Sequence, residues 1–154
     1  MKITFAGTGY INKIHAQAAK NLGLDLAAVV NHKQDSMAEF ARQFEITRQY
    51  ETVEAMLTDG EVDSLVVSTP NYLHAPQTMA ALKAGVPVMV EKPMAMSGAE
   101  CDDMIAACRR AGVPLWVAYY RRALPRFLAV RDLVESGAVG PVRMVLCRQF
   151  QPLR

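Results

Sequence analysis

Residues 2–6 (Lys-Ile-Thr-Phe-Ala) form a short apolar run closed by a glycine, and comparable runs recur at 25–30, 64–68, 86–90 and 115–118. Runs of this length, apolar and bounded by Gly, Pro or polar residues, predict buried strands. Between them the apolar positions change to helical spacing. Ile11, Ile14, Ala18 and Leu22 fall on one face of a helix predicted over Tyr10–Leu22. Further helices are expected at Ser36–Phe44, opened by Asp35-Ser36, and at Thr52–Leu57. Others follow at Tyr72–Ala84, closed by Gly85, at Ser97–Ala111, closed by Gly112, and at Leu124–Glu135, ended by Ser136-Gly137. A final strand-like run covers Val142–Phe150.

Strand and helix alternate almost throughout, and the central strands are apolar at successive positions. Strands of that kind have both faces covered by helices, which predicts an α/β fold with a doubly wound parallel sheet of the Rossmann type. Ligands on such sheets bind beyond the carboxyl ends of the strands, so the chemistry is sought in the loops that follow them. No internal repeat, low-complexity segment or flexible linker interrupts the pattern. The one boundary signal is Gly137 with Gly140-Pro141 after the last long helix.

The first loop reads Gly7-Thr8-Gly9-Tyr10-Ile11-Asn12. The first glycine permits a tight turn and the second lets backbone approach a pyrophosphate. The helix that follows offers free N–H groups and the positive end of its dipole to that anion. The full dinucleotide fingerprint has Gly or Ala at the third position, where this chain has Asn12. Asn12 is expected either to widen the helix–strand gap or to bond to the backbone. The second strand ends Val29-Val30-Asn31-His32-Lys33, without the carboxylate that reads an adenosine ribose in NAD-binding domains. Asn31 is neutral. Lys33, with His32 when protonated, would attract a 2′-phosphate, so NADP is allowed beside NAD; a plain solvated loop charge is the alternative for Lys33.

Two later loops are more specific. One reads Ser68-Thr69-Pro70-Asn71-Tyr72-Leu73-His74, the other Glu91-Lys92-Pro93. Together with the opening Gly-x-Gly, the Ala84-Gly85 helix end, Ala118-Tyr119-Tyr120-Arg121-Arg122 and Ser136-Gly137-Ala138-Val139-Gly140, they cover nearly the whole chain. In these features it resembles the Gfo/Idh/MocA family, named for glucose–fructose oxidoreductase and inositol dehydrogenase. The resemblance implies an NAD(P)-dependent oxidoreductase that moves a hydride between the cofactor and a hydroxyl of a sugar, polyol or related small molecule. Lys92 matches the family's lysine beside the nicotinamide and the substrate hydroxyl. An amine there can relay the proton released as hydride leaves, and its charge stabilises an alkoxide-like transition state. Glu91 is expected near the cofactor's carboxamide or ribose, with Pro93 fixing the turn through a cis or trans bond. Thr69, Pro70 and Asn71 are expected along the diphosphate and ribose, beside Ser68. His74 would point into the same cleft, with capping or packing as its alternative. Tyr120 and Arg121 resemble residues that close over the nicotinamide end.

The resemblance also implies three segments: a nucleotide-binding domain over 1–120, a connecting helix and turn over 121–140, and the first strand of a second α+β domain over 141–154. That second domain would supply most substrate contacts, and the full-length protein is expected to be a homo-oligomer. In the tail, Val142, Met144, Leu146, Arg148 and Phe150 would share one strand face, opposite Arg143, Val145, Cys147 and Gln149. Unpaired, such a strand would self-associate or stay without order. A non-catalytic dinucleotide-binding or sensing module of the same family is the alternative function; retention of Lys92 favours the enzyme.

Composition narrows the picture further. Hydrophobic residues make up 51% and charged residues 21%, an ordinary balance for a chain able to bury a core. The net charge of +2 has no Lys/Arg stripe of the kind nucleic acid requires, so no nucleic-acid partner is expected. Apolar runs fall far short of the ~20 residues of a membrane span, and a glycine turn by residue 7 leaves no room for a signal-peptide core. No membrane association is expected, and the cytoplasm is the expected location. Cys101, Cys108 and Cys147 form no C-x-x-C and have no histidine cluster nearby, so they are expected to be packing residues rather than metal ligands.

Overall fold

The computed structural model describes residues 1–60, 62–148 and 150. They divide into two compact units, Met1–Ala118 and Tyr119–Arg154. The first holds six strands: β1 (Lys2–Ala6), β2 (Asp25–Val30), β3 (Arg48–Tyr50), β4 (Ser64–Val67), β5 (Val88–Val90) and β6 (Leu115–Val117). They form one sheet in the order β3-β2-β1-β4-β5-β6, every neighbouring pair parallel. The doubly wound Rossmann sheet is therefore present, and its strand order reverses direction between β1 and β4.

Successive side chains of each central strand enter opposite cores, because the strand period is two. Phe5, Val29 and Val66 join Phe40, Phe44 and Ala16, from helices α1 (Tyr10–Asn21) and α2 (Gln34–Phe44). Phe40 stacks at a tilt on Phe5, with ring centroids 5.9 Å apart, and on Phe44 at 4.8 Å. Ala6, Val30, Leu65, Val67, Val88 and Val90 face the other core, built with α3 (Val53–Thr58), α4 (His74–Lys83) and α5 (Gly98–Ala111). Cys101 and Cys108 lie half-buried against that second core, in keeping with a packing role.

Several boundaries differ from the sequence pattern, each for a local reason. β3 was not expected: it is three residues long, Arg-Gln-Tyr, and lies at the sheet edge, so it carries no apolar run. The strand expected from Val86 starts at Val88, and that expected to end at Ser68 ends at Val67. Helix α2 begins at Gln34 with Lys33 at its N-cap, so it starts two residues before the expected Ser36. The helix expected from Tyr72 opens as a 3-10 turn, Asn71–Leu73, and becomes α-helical at His74. By contrast, Ser97 caps α5 through its side chain, and Gly112, at φ +67°, closes it.

In the second unit a 3-10 turn (Tyr120–Ala123) leads into α6 (Pro125–Glu135), with Pro125 in its first turn. No side chain of α6 is buried. The strand expected over Val142–Phe150 is not formed at residues 142–148, where no backbone partner completes a ladder among the described residues. Val142, Met144, Val145 and Leu146 are exposed. Gln149 of that expected strand, and residues 151–154 of the segment expected over 141–154, lie outside the described residues.

Candidate functional site

The register of the sheet builds the site. Ala6 pairs with Val30 and Val67, Val67 with Val90, and Val90 with Val117, so the carboxyl ends of five strands align. The next residue of each strand is then held by its neighbour. Gly7 N donates to Val30 O (2.8 Å), Ser68 N to Ala6 O (3.0 Å), Glu91 N to Val67 O (2.8 Å) and Ala118 N to Val90 O (2.9 Å). Loops far apart in sequence thus start side by side along one edge.

The glycine turn is shaped by that crowding. Gly7 has φ +94°, and a Cβ there would stand 2.8 Å from the Ser68 carbonyl oxygen. Gly9 caps α1 with φ −70°, and nothing lies within 4 Å of the place its Cβ would take. Open space therefore faces the start of a twelve-residue helix with no acidic residue in its first turn. Asn12 does bond to the backbone: buried, its Nδ2 donates to Ala6 O (2.9 Å) and Gly7 O (2.7 Å), tying α1 to the turn. Of the two outcomes expected for Asn12, a wider helix–strand gap or a bond to the backbone, the second is the one found.

A cleft of about 700 Å³ lies on one side of this turn, lined by Gly7, Thr8, Gly9, Asn31, His32, Lys33, Ser68, Thr69 and Pro70. Ser36, Glu51, Thr52, Glu54 and Gln77 line it too. Asn31 is fixed within it: Nδ2 donates to Thr8 Oγ1 (2.5 Å), Oδ1 accepts from Lys33 N (3.4 Å), and Thr8 Oγ1 pairs with Ser36 Oγ (2.6 Å). Glu51 accepts from Gln34 (2.8 Å), and Thr69 Oγ1 donates to Gln77 Oε1 (2.7 Å).

A second cleft, about 340 Å³, is lined by Tyr10, Ile11, Ser68, Thr69, Asn71, His74, Glu91 and Lys92. It shares Ser68 and Thr69 with the first, so the two meet at the loop after β4. The Ser68 hydroxyl is buried without a partner. The Lys92–Pro93 peptide is cis. Lys92 is exposed, and Glu91 is 7% exposed. Glu91 Oε1 lies 3.0 Å from His15 Nε2, and its Oε2 accepts from Lys92 N at 3.0 Å. His74, 1% exposed, spans two carbonyls: Nδ1 is 2.8 Å from Pro93 O and Nε2 2.9 Å from Thr69 O. A neutral imidazole has one N–H, so it donates to one of these carbonyls at a time.

The cofactor-contact candidates of the first unit, Lys92 included, each line one cleft or the other, while Asn12 and Pro93 line neither. Tyr120 and Arg121 belong to the second unit, where both are exposed on its 3-10 turn. Sequence reasoning missed Ser36, Gln77 and His15. His15 lies one helical turn after Asn12 on the same face of α1, the signal that could have found it. Among the described residues, no group of three or more His, Cys, Asp or Glu side chains is placed to hold a metal ion, and no helix is long and apolar enough to cross a membrane.

A family model described as an oxidoreductase family with an NAD-binding Rossmann fold, Gfo/Idh/MocA, matches residues 1–119. The 1,5-anhydro-D-fructose reductase of Ensifer adhaerens is 33% identical over 133 residues, which cover 86% of this chain and 39% of that protein. The WlbA dehydrogenase from Bordetella pertussis, solved with NADH and UDP-GlcNAcA, superposes with a TM-score of 0.86 at 29% identity, covering 90% of this chain and 43% of that one. An oxidoreductase from Agrobacterium radiobacter, solved with NAD+, L-tartaric acid and magnesium, gives 0.84 at 28% identity, with coverage of 92% and 42%. The chain thus spans about two fifths of the length of these relatives.

Proposed function

Because the chain belongs to the Gfo/Idh/MocA oxidoreductase family, we propose that it is the cofactor-binding part of an NAD(P)-dependent dehydrogenase acting on a hydroxyl of a sugar, polyol or related small molecule. The observation that carries this reading is the aligned strand edge, which brings the Gly7–Gly9 turn and the Glu91-Lys92-Pro93 turn to neighbouring clefts. The residues present fit a dinucleotide. Gly9 leaves the start of α1 open to a diphosphate, and the unpartnered Ser68 hydroxyl sits where the two clefts meet. When bound, the nicotinamide would supply the hydride acceptor or donor.

In this reading the chain's own groups do the rest. The α1 amide groups and the Gly7–Gly9 backbone hold the diphosphate. Thr69, Pro70 and Asn71 form the wall between the two ends. Lys92 Nζ takes the proton at the substrate's hydroxyl oxygen during oxidation, so that the positive charge it gains offsets the alkoxide charge developing there, and it returns that proton during reduction. At the first cleft, Asn31 in place of a carboxylate, with His32 and Lys33 beside it, supports binding of NADP at least as well as NAD.

The test is Lys92→Ala in the full-length protein, assayed with NAD and NADP against a panel of sugars and polyols. Turnover should fall by about 10²-fold or more while cofactor affinity changes little, since proton relay acts in the transition state. Equal losses of turnover and affinity would make Lys92 a binding residue. Binding of the cofactor without turnover on any hydroxyl substrate would favour the sensing module instead.

A further inference from the structure

The E-K-P turn is anchored at both ends by histidines that the proton relay does not use. At the far end, Pro93 O faces His74 Nδ1 at 2.8 Å, and the same ring reaches Thr69 O at 2.9 Å, so α4 ties the turn to the β4 loop. At the near end the tie runs through a carboxylate. Glu91 folds back so that Oε2 accepts the backbone N–H of the next residue, Lys92, at 3.0 Å. That geometry needs the carboxylate held in one rotamer, and its other oxygen is held by His15 Nε2 at 3.0 Å. The Glu91 side chain is 9% exposed and that of His15 21%, so solvent offers few competing donors. His15 stands on α1, the helix whose start borders the glycine turn.

From this geometry we infer that His15 is a positioning residue for Lys92: it fixes Glu91, and Glu91 fixes the backbone from which the Lys92 side chain departs. With the far end tied to His74, His15 restrains the Glu91 carboxylate whose Oε2 holds the near end. The inference rests on reading Lys92 as the proton relay. It also makes α1 common to two tasks, since the helix that meets the diphosphate at its start sets the lysine turn from its second turn. A loss of His15 therefore loosens Lys92 while leaving the glycine turn, which Asn12 holds independently, in place.

The experiment is an NMR comparison of wild type, His15→Ala and His15→Gln, with NADH titrations in parallel. In wild type the Lys92 amide should be shifted downfield and exchange slowly for an exposed residue. In His15→Ala that signature should be lost, with exchange at least about tenfold faster, as expected when a hydrogen bond to a charged group is released. NADH affinity should stay within about threefold, well under the tenfold that 1.4 kcal/mol represents. His15→Gln keeps an N–H donor for Glu91 and should restore the signature. An unchanged Lys92 amide in His15→Ala overturns the inference. So does loss of NADH binding in step with the signature, which would give His15 a general structural role. The underlying reading fails separately: if Lys92→Ala left turnover intact, the relay would be wrong even with the His15 signature as expected.

Discussion

Replacing Gly7 by alanine separates the structural duty of the glycine turn from its ligand-binding duty. Gly7 has φ +94°, a conformation that costs an L-residue about 1–2 kcal/mol. The added Cβ would also stand 2.8 Å from Ser68 O, 3.1 Å from Ser68 C and 3.3 Å from Thr69 Cγ2. Ser68 cannot step back freely, because its N–H is bonded to Ala6 O at 3.0 Å. Forcing such a contact costs about 1–3 kcal/mol. The combined loss of about 2–5 kcal/mol is a large part of the 5–15 kcal/mol that a domain has in total. Gly9→Ala is the control, for its φ is −70° and its Cβ would meet nothing within 4 Å. It should lose no more than about 1 kcal/mol, the difference between glycine and alanine at an N-cap. Equilibrium urea unfolding followed by circular dichroism measures both. If Gly7→Ala lies within about 0.5 kcal/mol of wild type, the size of an ordinary surface substitution, the packing argument for the turn is wrong.

Two further outcomes follow from other parts of the molecule. Lys33→Glu should weaken NADP selectively, and a wild-type preference for NAD of tenfold or more, about 1.4 kcal/mol, would reject the reading of the Asn31-His32-Lys33 loop. The Tyr50 hydroxyl donates to Asp59 Oδ2 (2.5 Å), and that bond, aided by burial and the aspartate's charge, raises its pKa above the usual phenol range. Ultraviolet titration should therefore show one tyrosine ionising above the others. Tyr50→Phe should remove that late phase, and loss of a phase in the ordinary phenol range instead would contradict the bond.

The central strands were legible because their residues are apolar on both sides, and β1, β2 and β4 are buried at nearly every position. The loops after β1, β4 and β5 were legible as chemistry because glycines and the T-P-N-x-x-H and E-K-P segments sit where strands end. What stayed hidden depends on contacts remote in sequence. β3 takes its form from pairing with β2 rather than from its own Arg-Gln-Tyr. Asn12 left two outcomes open until its bonds to Ala6 O and Gly7 O were seen. His15 gains its meaning from Glu91, 76 residues away, and His74 from Pro93, 19 away. The tail was read as a strand from its alternation, but a strand also needs a partner, and residues 142–148 pair with none among the described residues.

The most direct test of the account is titration of NADH and NADPH into wild-type protein and Gly9→Val, followed by nicotinamide fluorescence and calorimetry. The Gly9 position is open in the structure, so valine should fold there and fill only the space that a diphosphate would take at the start of α1. The account expects saturable binding to wild type, and an affinity at least tenfold weaker, about 1.4 kcal/mol, in a stably folded Gly9→Val. Equal affinity in the two proteins, or no binding to wild type, would contradict it.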